Sequence, residues 1–191
     1  PSNQIEIAGI TGTNGKTTVT WMIRAILHRA GRTAGVLGTI EFADGVQAES
    51  STLTTPDSRT LQGWLARMNH RGTKSAAIEL SSHALHQGRA EGTQLRAALV
   101  TNITQDHFDY HETFEAYRDS KARILDMVAP GGILGLNIDD PGSWSLQSLG
   151  STAVPMVSFG MSPAADVSAQ ILEESRRGTR FRIQLHGQTA E

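Results

Sequence analysis

Residues 12–18 place two glycines, an asparagine, a lysine and three threonines after an apolar stretch, in the order Gly-Thr-Asn-Gly-Lys-Thr-Thr. Glycines let a loop point backbone N–H groups at an anion, Lys16 would reach the outer phosphates with its positive charge, and the Thr17 hydroxyl would hold a Mg²⁺. The spacing departs from the common Walker A pattern, which requires glycine where this chain has Ile10. Gly-Lys-Thr is also a short pattern that ordinary strand-to-helix turns contain. The order of strand, loop and helix favours a triphosphate-binding loop.

Two further side chains stand where metal ligands are expected. Glu79 interrupts the end of an apolar run, and His107 follows the end of another. In a parallel sheet, ligands bind outside the carboxyl ends of the strands. The Glu79 carboxylate therefore either binds a divalent cation or caps and pairs locally. His107 is a candidate by position alone, because histidines more often form surface hydrogen bonds.

Lys121 lies within an apolar helical stripe formed by Phe114, Tyr117, Ile124, Leu125 and Val128. The lysine amine either snorkels to water or is desolvated. In the second case its pKa falls, and a neutral amine becomes available for chemistry. Periodicity alone leaves both interpretations open.

Alternating strands and helices predict an α/β fold with a doubly wound, mostly parallel sheet. Apolar runs predict strands at 5–10, 33–40, 74–80, 95–100, 132–137 and 154–159. Helical spacing predicts a core-facing helix after residue 16, with Val19, Met22, Ile23, Ile26 and Leu27 on its apolar face. A second helix is predicted to start at 54–57, with a hydroxyl cap and Pro56 in its first turn. Two more are predicted, one at 112–128 and a short one around 144–146. Residues 41–53 are expected to form a long loop or a hairpin. Alternation from residue 166 onward predicts two antiparallel strands, part of a small sheet, so we expect a core at 1–160 and a small sheet at 161–191.

Composition excludes several functional classes. The 191 residues carry a formal net charge of −2, which gives no basic field for a nucleic-acid backbone. No apolar run approaches the roughly 20 residues of a membrane span, and no leader opens the chain, so we expect a cytoplasmic protein. Zero cysteines exclude disulfides, thiolate metal sites and cysteine nucleophiles.

Four motifs in order resemble the central ATPase domain of the Mur ligase family. They are the loop at 11–18, Thr-Thr-Pro-Asp at 54–57, Glu-Leu-Ser-Ser-His-Ala-Leu at 79–85, and the run at 101–111 followed by Ser-Lys-Ala-Arg at 120–123. The nearest type is UDP-N-acetylmuramoyl-tripeptide synthetase, the MurE type, because 54–56 and 81–89 resemble its nucleotide-sugar peptide site. The resemblance spans residues 5 to about 185.

The resemblance implies an ADP-forming ligase of peptidoglycan synthesis that adds the third amino acid to UDP-MurNAc-L-Ala-D-Glu through an acyl phosphate. It assigns the ATP triphosphate to Gly12, Thr13, Asn14, Gly15, Lys16, Thr17 and Thr18. Thr17 and Glu79 would hold one Mg²⁺, and His107 with a carbamylated Lys121 (N6-carboxylysine) a second, with Lys16, Glu79, His107 and Lys121 as the catalytic set. Thr54, Thr55, Ser81, Gln87 and Arg89 would bind the UDP-MurNAc-dipeptide.

Two departures from the family are visible. The nucleotide-sugar domain before the loop and the acceptor domain after the small sheet are absent, so we expect an excised central domain that is inactive alone and monomeric. Glu112 stands where this type often has glycine, and we expect a helix to begin there. Two other functions remain open, a folylpolyglutamate synthetase-like ligase and a noncatalytic nucleotide-binding module.

Overall fold

The computed structural model describes residues 2–105, 108–150, 154–176, 178–185 and 187–191. Within them one mixed sheet has the strand order β11-β10-β9-β8-β7-β6-β1-β5-β2-β3-β4. Its strands are β1 Glu6–Thr11, β2 Ala34–Leu37, β3 Glu41–Ala43, β4 Ala48–Ser50, β5 Ser75–Glu79, β6 Leu95–Val100, β7 Val128–Asn137, β8 Met156–Gly160, β9 Val167–Ser175, β10 Gly178–Leu185 and β11 Gln188–Ala190. The helices are α1 Lys16–Arg29, α2 Ser58–His70, α3 Ser82–His86, α4 Phe108–His111, α5 Phe114–Ala122 and α6 Pro141–Trp144. Short 3₁₀ segments lie at Ser2–Gln4, Leu125–Met127 and Ser145–Leu149.

The centre of the sheet is parallel, as the sequence predicts. β1 pairs in parallel with both β5 and β6, and β2 pairs in parallel with β5. Carboxyl ends of parallel neighbours meet at one edge of a sheet. The loops that follow β1, β2, β5 and β6 therefore lie side by side; the loop after β1 carries predicted site residues 12–15, and the loop after β5 carries Ser81.

Antiparallel strands extend the sheet on both sides. β3 and β4 form the hairpin that was one of the two expectations for residues 41–53. β9, β10 and β11 form the antiparallel part predicted for the end of the chain, with three strands where the alternation indicated two. β9 also pairs in parallel with β8, so this part continues the main sheet.

Helix α2 begins later than predicted. Its N-cap is Asp57, whose carboxylate accepts the Thr60 N–H at 3.0 Å and the Thr60 hydroxyl at 2.7 Å. These hydrogen bonds lower the pKa of Asp57. The expected hydroxyl cap at 54–55 and the first-turn role of Pro56 are wrong, because a carboxylate aligned with the helix N-terminus supplies the cap instead. Trp64 is among the helix's buried side chains.

The helix expected at 112–128 is divided into pieces. α4 ends at His111, and Glu112 lies between α4 and α5 with φ 62°. Thr113 caps α5 by accepting the Ala116 N–H at 3.1 Å. The expectation that a helix begins at Glu112 is wrong, because a left-handed residue cannot join an α-helix. Tyr117 and Lys121 are nevertheless fully buried, which the apolar stripe indicates for Tyr117 and leaves open for Lys121.

Helix α1 is less core-facing than its apolar spacing indicates. Met22 is 59% exposed and Ile26 67% exposed, whereas Thr20 is buried. Val19, Ile23 and Leu27 are half-buried, so only part of the predicted apolar face contacts the sheet. Within the part of the chain that is described, every helix is too short or too polar to span a bilayer.

A buried carboxylate anchors the β3–β4 hairpin to α2. Asp44 is fully buried, accepts N–H groups from Val46 at 3.0 Å and Gln47 at 2.8 Å, and lies 3.0 Å from Arg71 and 3.3 Å from Arg67. Burial raises the pKa of Asp44, but the two backbone hydrogen bonds and the two guanidinium groups together lower it below its usual 3.8. The ionised side chain therefore stabilises the fold.

Candidate functional site

The loop after β1 has the geometry of a phosphate cradle. Gly12 and Gly15 have φ values of 148° and 86°, which favour glycine. A Cβ on Gly12 would lie 1.9 Å from Thr101 Oγ1, so the loop lies directly against the end of β6. Thr101 donates to the Asn14 carbonyl at 2.6 Å. The first turn of α1 follows at once, and N–H groups in a first helical turn have no intrahelical acceptor.

Two lysines converge on this loop. Lys16 Nζ donates to the Gly12 carbonyl at 2.9 Å and to the Thr13 carbonyl at 3.0 Å. Lys121 Nζ donates to the same Gly12 carbonyl at 2.8 Å, from a side chain that is 1% exposed. Lysine amines beside helix N–H donors make a donor-rich site that suits a polyphosphate.

The burial of Lys121 excludes the snorkelling interpretation, because the amine does not reach water. It lies 4.6 Å from the centre of the Tyr117 ring, and the Tyr117 hydroxyl is 3.0 Å from Thr13 Oγ1. Helix α5 thus brings a buried lysine and a phenol into contact with the loop.

The Glu79 carboxylate is buried at the end of β5, where the sequence predicts it. The Thr17 hydroxyl donates to Oε2 at 2.8 Å, and the Thr39 N–H donates to Oε1 at 2.9 Å. A buried carboxylate needs such compensation. The cluster of carboxylate and hydroxyl oxygens is a hard donor set that fits Mg²⁺. Glu79 also lies against Gly38, where a Cβ would be 2.1 Å from Oε1.

Sequence reasoning missed Thr39. Its hydroxyl lies 3.1 Å from Glu79 Oε2 and 3.1 Å from Thr54 Oγ1, so it joins the candidate metal ligand to the candidate substrate site. Its position after β2 could have indicated it, because β2 is a parallel neighbour of β5 and the two strands end at the same edge of the sheet.

The predicted peptide-site residues lie together on the other side of Glu79. The Thr55 hydroxyl donates to the Glu79 carbonyl at 2.8 Å and accepts the Ser81 N–H at 3.0 Å. Arg89 donates to the Thr55 carbonyl at 3.2 Å and to the Gln87 amide oxygen at 2.8 Å. Two loops and α3 therefore assemble one polar surface beside the phosphate cradle.

The remaining predicted residues are less informative. His107 lies outside the described residues. Thr13 and Asn14 donate their N–H groups to Asn102 at 2.8 Å and 2.9 Å, and Thr18 is exposed in the first turn of α1. In the described ranges, no three acidic, histidine or cysteine side chains form a cluster with metal-site geometry.

Comparisons with known proteins agree with the motifs. The Mur ligase middle domain model matches residues 10–191. The UDP-N-acetylmuramoyl-L-alanyl-D-glutamate–2,6-diaminopimelate ligase of Chlamydia pneumoniae is 38% identical over 183 residues, which cover 96% of this chain and 38% of the relative. The ligase of the same name from Geobacillus kaustophilus is 38% identical over 198 aligned residues, which cover 100% of this chain and 40% of the relative. The chain therefore spans about two fifths of the length of these curated relatives.

Solved structures show the same architecture. A structure of UDP-N-acetylmuramoyl-L-alanyl-D-glutamate–2,6-diaminopimelate ligase matches with a TM-score of 0.86 and 27% identity, covering 97% of this chain and 38% of that one. MurF ligase from Thermotoga maritima in complex with ADP matches with a TM-score of 0.70 at 16% identity, covering 98% of this chain and 40% of that one, and shares the fold. The predicted α/β class and the resemblance drawn from the motifs are both confirmed. This chain belongs to the Mur ligase middle-domain family.

Proposed function

We propose that this domain binds ATP and transfers its γ-phosphoryl group within an ADP-forming ligase that adds the third amino acid to UDP-MurNAc-L-Ala-D-Glu. The observation that carries the proposal is the convergence of Lys16, Lys121 and the Thr17–Glu79 pair on one glycine loop. The name of the curated relatives supports this substrate and a diaminopimelate acceptor.

The chain's own groups fit the first half of the reaction. The loop N–H groups and Lys16 hold the triphosphate, and Lys16 exchanges its carbonyl partners for phosphate oxygens when nucleotide enters. A substrate carboxylate then attacks the γ-phosphorus, the bond to the β,γ-bridging oxygen breaks, and ADP leaves. The product is an acyl phosphate, which an amine attacks with loss of phosphate. Each step relies on positioning and charge stabilisation, so no protein nucleophile is needed.

Mg²⁺ suits the oxygen donors present. Thr17 and Glu79 would hold one ion, and a carbamylated Lys121 with His107 would hold a second. Ions held there would neutralise charge on the phosphate oxygens. In carbamylation the neutral Lys121 amine would form an N–C bond to carbon dioxide and release one proton to solvent. The carbamate puts an anionic oxygen donor in place of the amine, and its one N–H remains for the Gly12 carbonyl, which the amine contacts at 2.8 Å.

The peptide substrate is assigned to Thr54, Thr55, Ser81, Gln87 and Arg89. The Arg89 guanidinium has a planar fork that matches a carboxylate. Arg89 contacts the Thr55 carbonyl, and the Thr55 hydroxyl contacts Glu79 at the end of β5. A substrate carboxylate bound by Arg89 would therefore face the phosphate cradle. We also propose that the protein is a monomer and acts in the cytoplasm. Gel filtration tests the oligomeric state, and cell fractionation tests the location.

Kinetics of the full gene product test this assignment. Lys16→Ala should abolish ADP formation, while Lys74→Ala, which changes an exposed lysine, should leave it unchanged. Arg89→Ala should raise KM for UDP-MurNAc-L-Ala-D-Glu at least tenfold with little change in KM for ATP, whereas exposed Arg59→Ala should change neither. Equal effects of Arg89→Ala on both substrates contradict the peptide-site assignment.

Nucleotide binding with no amide product under any condition favours the noncatalytic module, and turnover of a folate substrate favours the folylpolyglutamate synthetase-like alternative.

A further inference from the structure

A hydrogen-bonded line leads from α4 to Arg89. The Tyr110 hydroxyl accepts the Gln87 Nε2 amide at 3.1 Å and lies 2.9 Å from His86 Nδ1. Gln87 Oε1 accepts the Arg89 Nε–H at 2.8 Å. Arg89 Nη1 continues the line to the Thr55 carbonyl at 3.2 Å.

The two ends of the Gln87 amide are chemically different, and this fixes its orientation. Its NH₂ group only donates and its oxygen only accepts. Arg89 only donates, so the oxygen must face Arg89 and the NH₂ group must face Tyr110. Gln87 is exposed, and an exposed side chain of this length loses substantial rotamer entropy when it is ordered. The Tyr110 hydroxyl is therefore the group that holds the far end of this amide.

The Tyr110 ring is itself held by packing. Its centroid lies 4.0 Å from that of His83 on α3 and 4.7 Å from that of His111 on α4. Phenylalanine at this position keeps those ring contacts and removes only the hydroxyl. The hydroxyl's contribution can thus be separated from that of the ring.

We propose that Tyr110 is a positioning residue for the peptide-bearing substrate, which it orders through Gln87 and Arg89. The inference rests on the proposed function, because it requires that Arg89 bind that substrate. Tyr110 need not contact the substrate. Its effect is to pre-orient the guanidinium fork, so that less side-chain entropy is lost on binding.

The test is the pair Tyr110→Phe and Tyr117→Phe in the full gene product. Loss of one neutral hydrogen bond in a positioning chain should raise KM for UDP-MurNAc-L-Ala-D-Glu about 3- to 10-fold in Tyr110→Phe, with kcat and KM for ATP within about twofold of wild type. Tyr117→Phe removes a hydroxyl that lies 3.0 Å from Thr13 on the phosphate loop. It should leave KM for the muramoyl dipeptide unchanged.

A double-mutant cycle shows whether Tyr110 acts through Gln87. In a Gln87→Ala background, Tyr110→Phe should change the same KM by less than twofold. Multiplicative effects overturn the proposal, because they mean that the two residues act independently. Equal changes in both substrate KM values, or a change in kcat alone, also overturn it by pointing to a general structural role.

The outcomes separate this inference from the proposed function. If Arg89→Ala raises KM for the muramoyl dipeptide and Tyr110→Phe does not, the positioning role is wrong and the proposed function stands. If Arg89→Ala leaves that KM unchanged, the substrate assignment is wrong, and the role of Tyr110 falls with it.

Discussion

Replacing Gly12 with alanine tests the geometry of the phosphate loop. Gly12 has φ 148°, and the added Cβ would lie 1.9 Å from Thr101 Oγ1. To reach a separation of 3.0 Å, one of the two atoms must move by about 1.1 Å. Thr101 cannot move freely, because its hydroxyl donates to the Asn14 carbonyl at 2.6 Å and holds the loop against β6.

Two effects add in Gly12→Ala. A left-handed conformation in a non-glycine residue costs on the order of 1–3 kcal/mol. Forcing an extra carbon into a filled space costs about 1–3 kcal/mol more. We therefore expect the free energy of unfolding to fall by about 2–6 kcal/mol, a large part of the stability of a domain this size. Because either relief of the clash displaces the loop, affinity for ATP should fall as well.

Two matched glycines calibrate the result. Gly15 has φ 86°, but the nearest atom to an added Cβ is 3.8 Å away, so Gly15→Ala should cost only the conformational strain of about 1–2 kcal/mol. Gly63 lies on the exposed side of α2 with nothing within 4 Å of an added Cβ, so Gly63→Ala should stabilise by about 0.5–1 kcal/mol. Urea unfolding followed by circular dichroism gives the order, and calorimetric titration with a nonhydrolysable ATP analogue gives the affinity. A Gly12→Ala midpoint at or above that of Gly15→Ala refutes the reasoning.

Three further substitutions test individual residues. Glu112→Gly should raise the free energy of unfolding by about 1 kcal/mol, because it relieves the left-handed residue between α4 and α5, and a lower urea midpoint contradicts this. The lowered pKa of Asp44 means that its stabilisation is fully present above pH 3.8 and is lost as pH falls through the folded-state pKa. Asp44→Asn should therefore lower stability near neutral pH and flatten the acid side of the profile, whereas parallel profiles contradict the assignment. Thr39→Val removes the hydroxyl beside Glu79 and should raise the Mg²⁺ concentration for half-maximal activity roughly tenfold, in contrast to no shift if Thr39 only fills space.

Local patterns made the central part of the site predictable. The strand, glycine loop and helix are consecutive in the chain, and Glu79 ends an apolar run, so their positions follow from short-range rules. The parallel centre of the sheet followed from alternation of strands and helices. Periodicity allows Lys121 to be either buried or snorkelled to water. It is buried because α5 lies against the phosphate loop, where its amine donates to the Gly12 carbonyl.

Contacts between distant segments were not predictable in the same way. Thr39 and Thr101 acquire their roles only from strand order, which places the ends of β2 and β6 beside the ends of β5 and β1. The break before α5 depends on the backbone angle of Glu112, which its residue type does not indicate. The exposure of Met22 and Ile26 shows that apolar spacing alone overestimates how much of a helix faces the core.

Isotope transfer tests the central claim, that the site activates a carboxylate by phosphorylation. The full gene product is given UDP-MurNAc-L-Ala-D-Glu with ¹⁸O in the D-glutamyl carboxylates, together with ATP, Mg²⁺ and diaminopimelate. If an acyl phosphate forms, one carboxylate oxygen leaves with the phosphate, and mass spectrometry of the released phosphate shows one ¹⁸O for each amide formed. Amide formation with unlabelled phosphate would contradict the account.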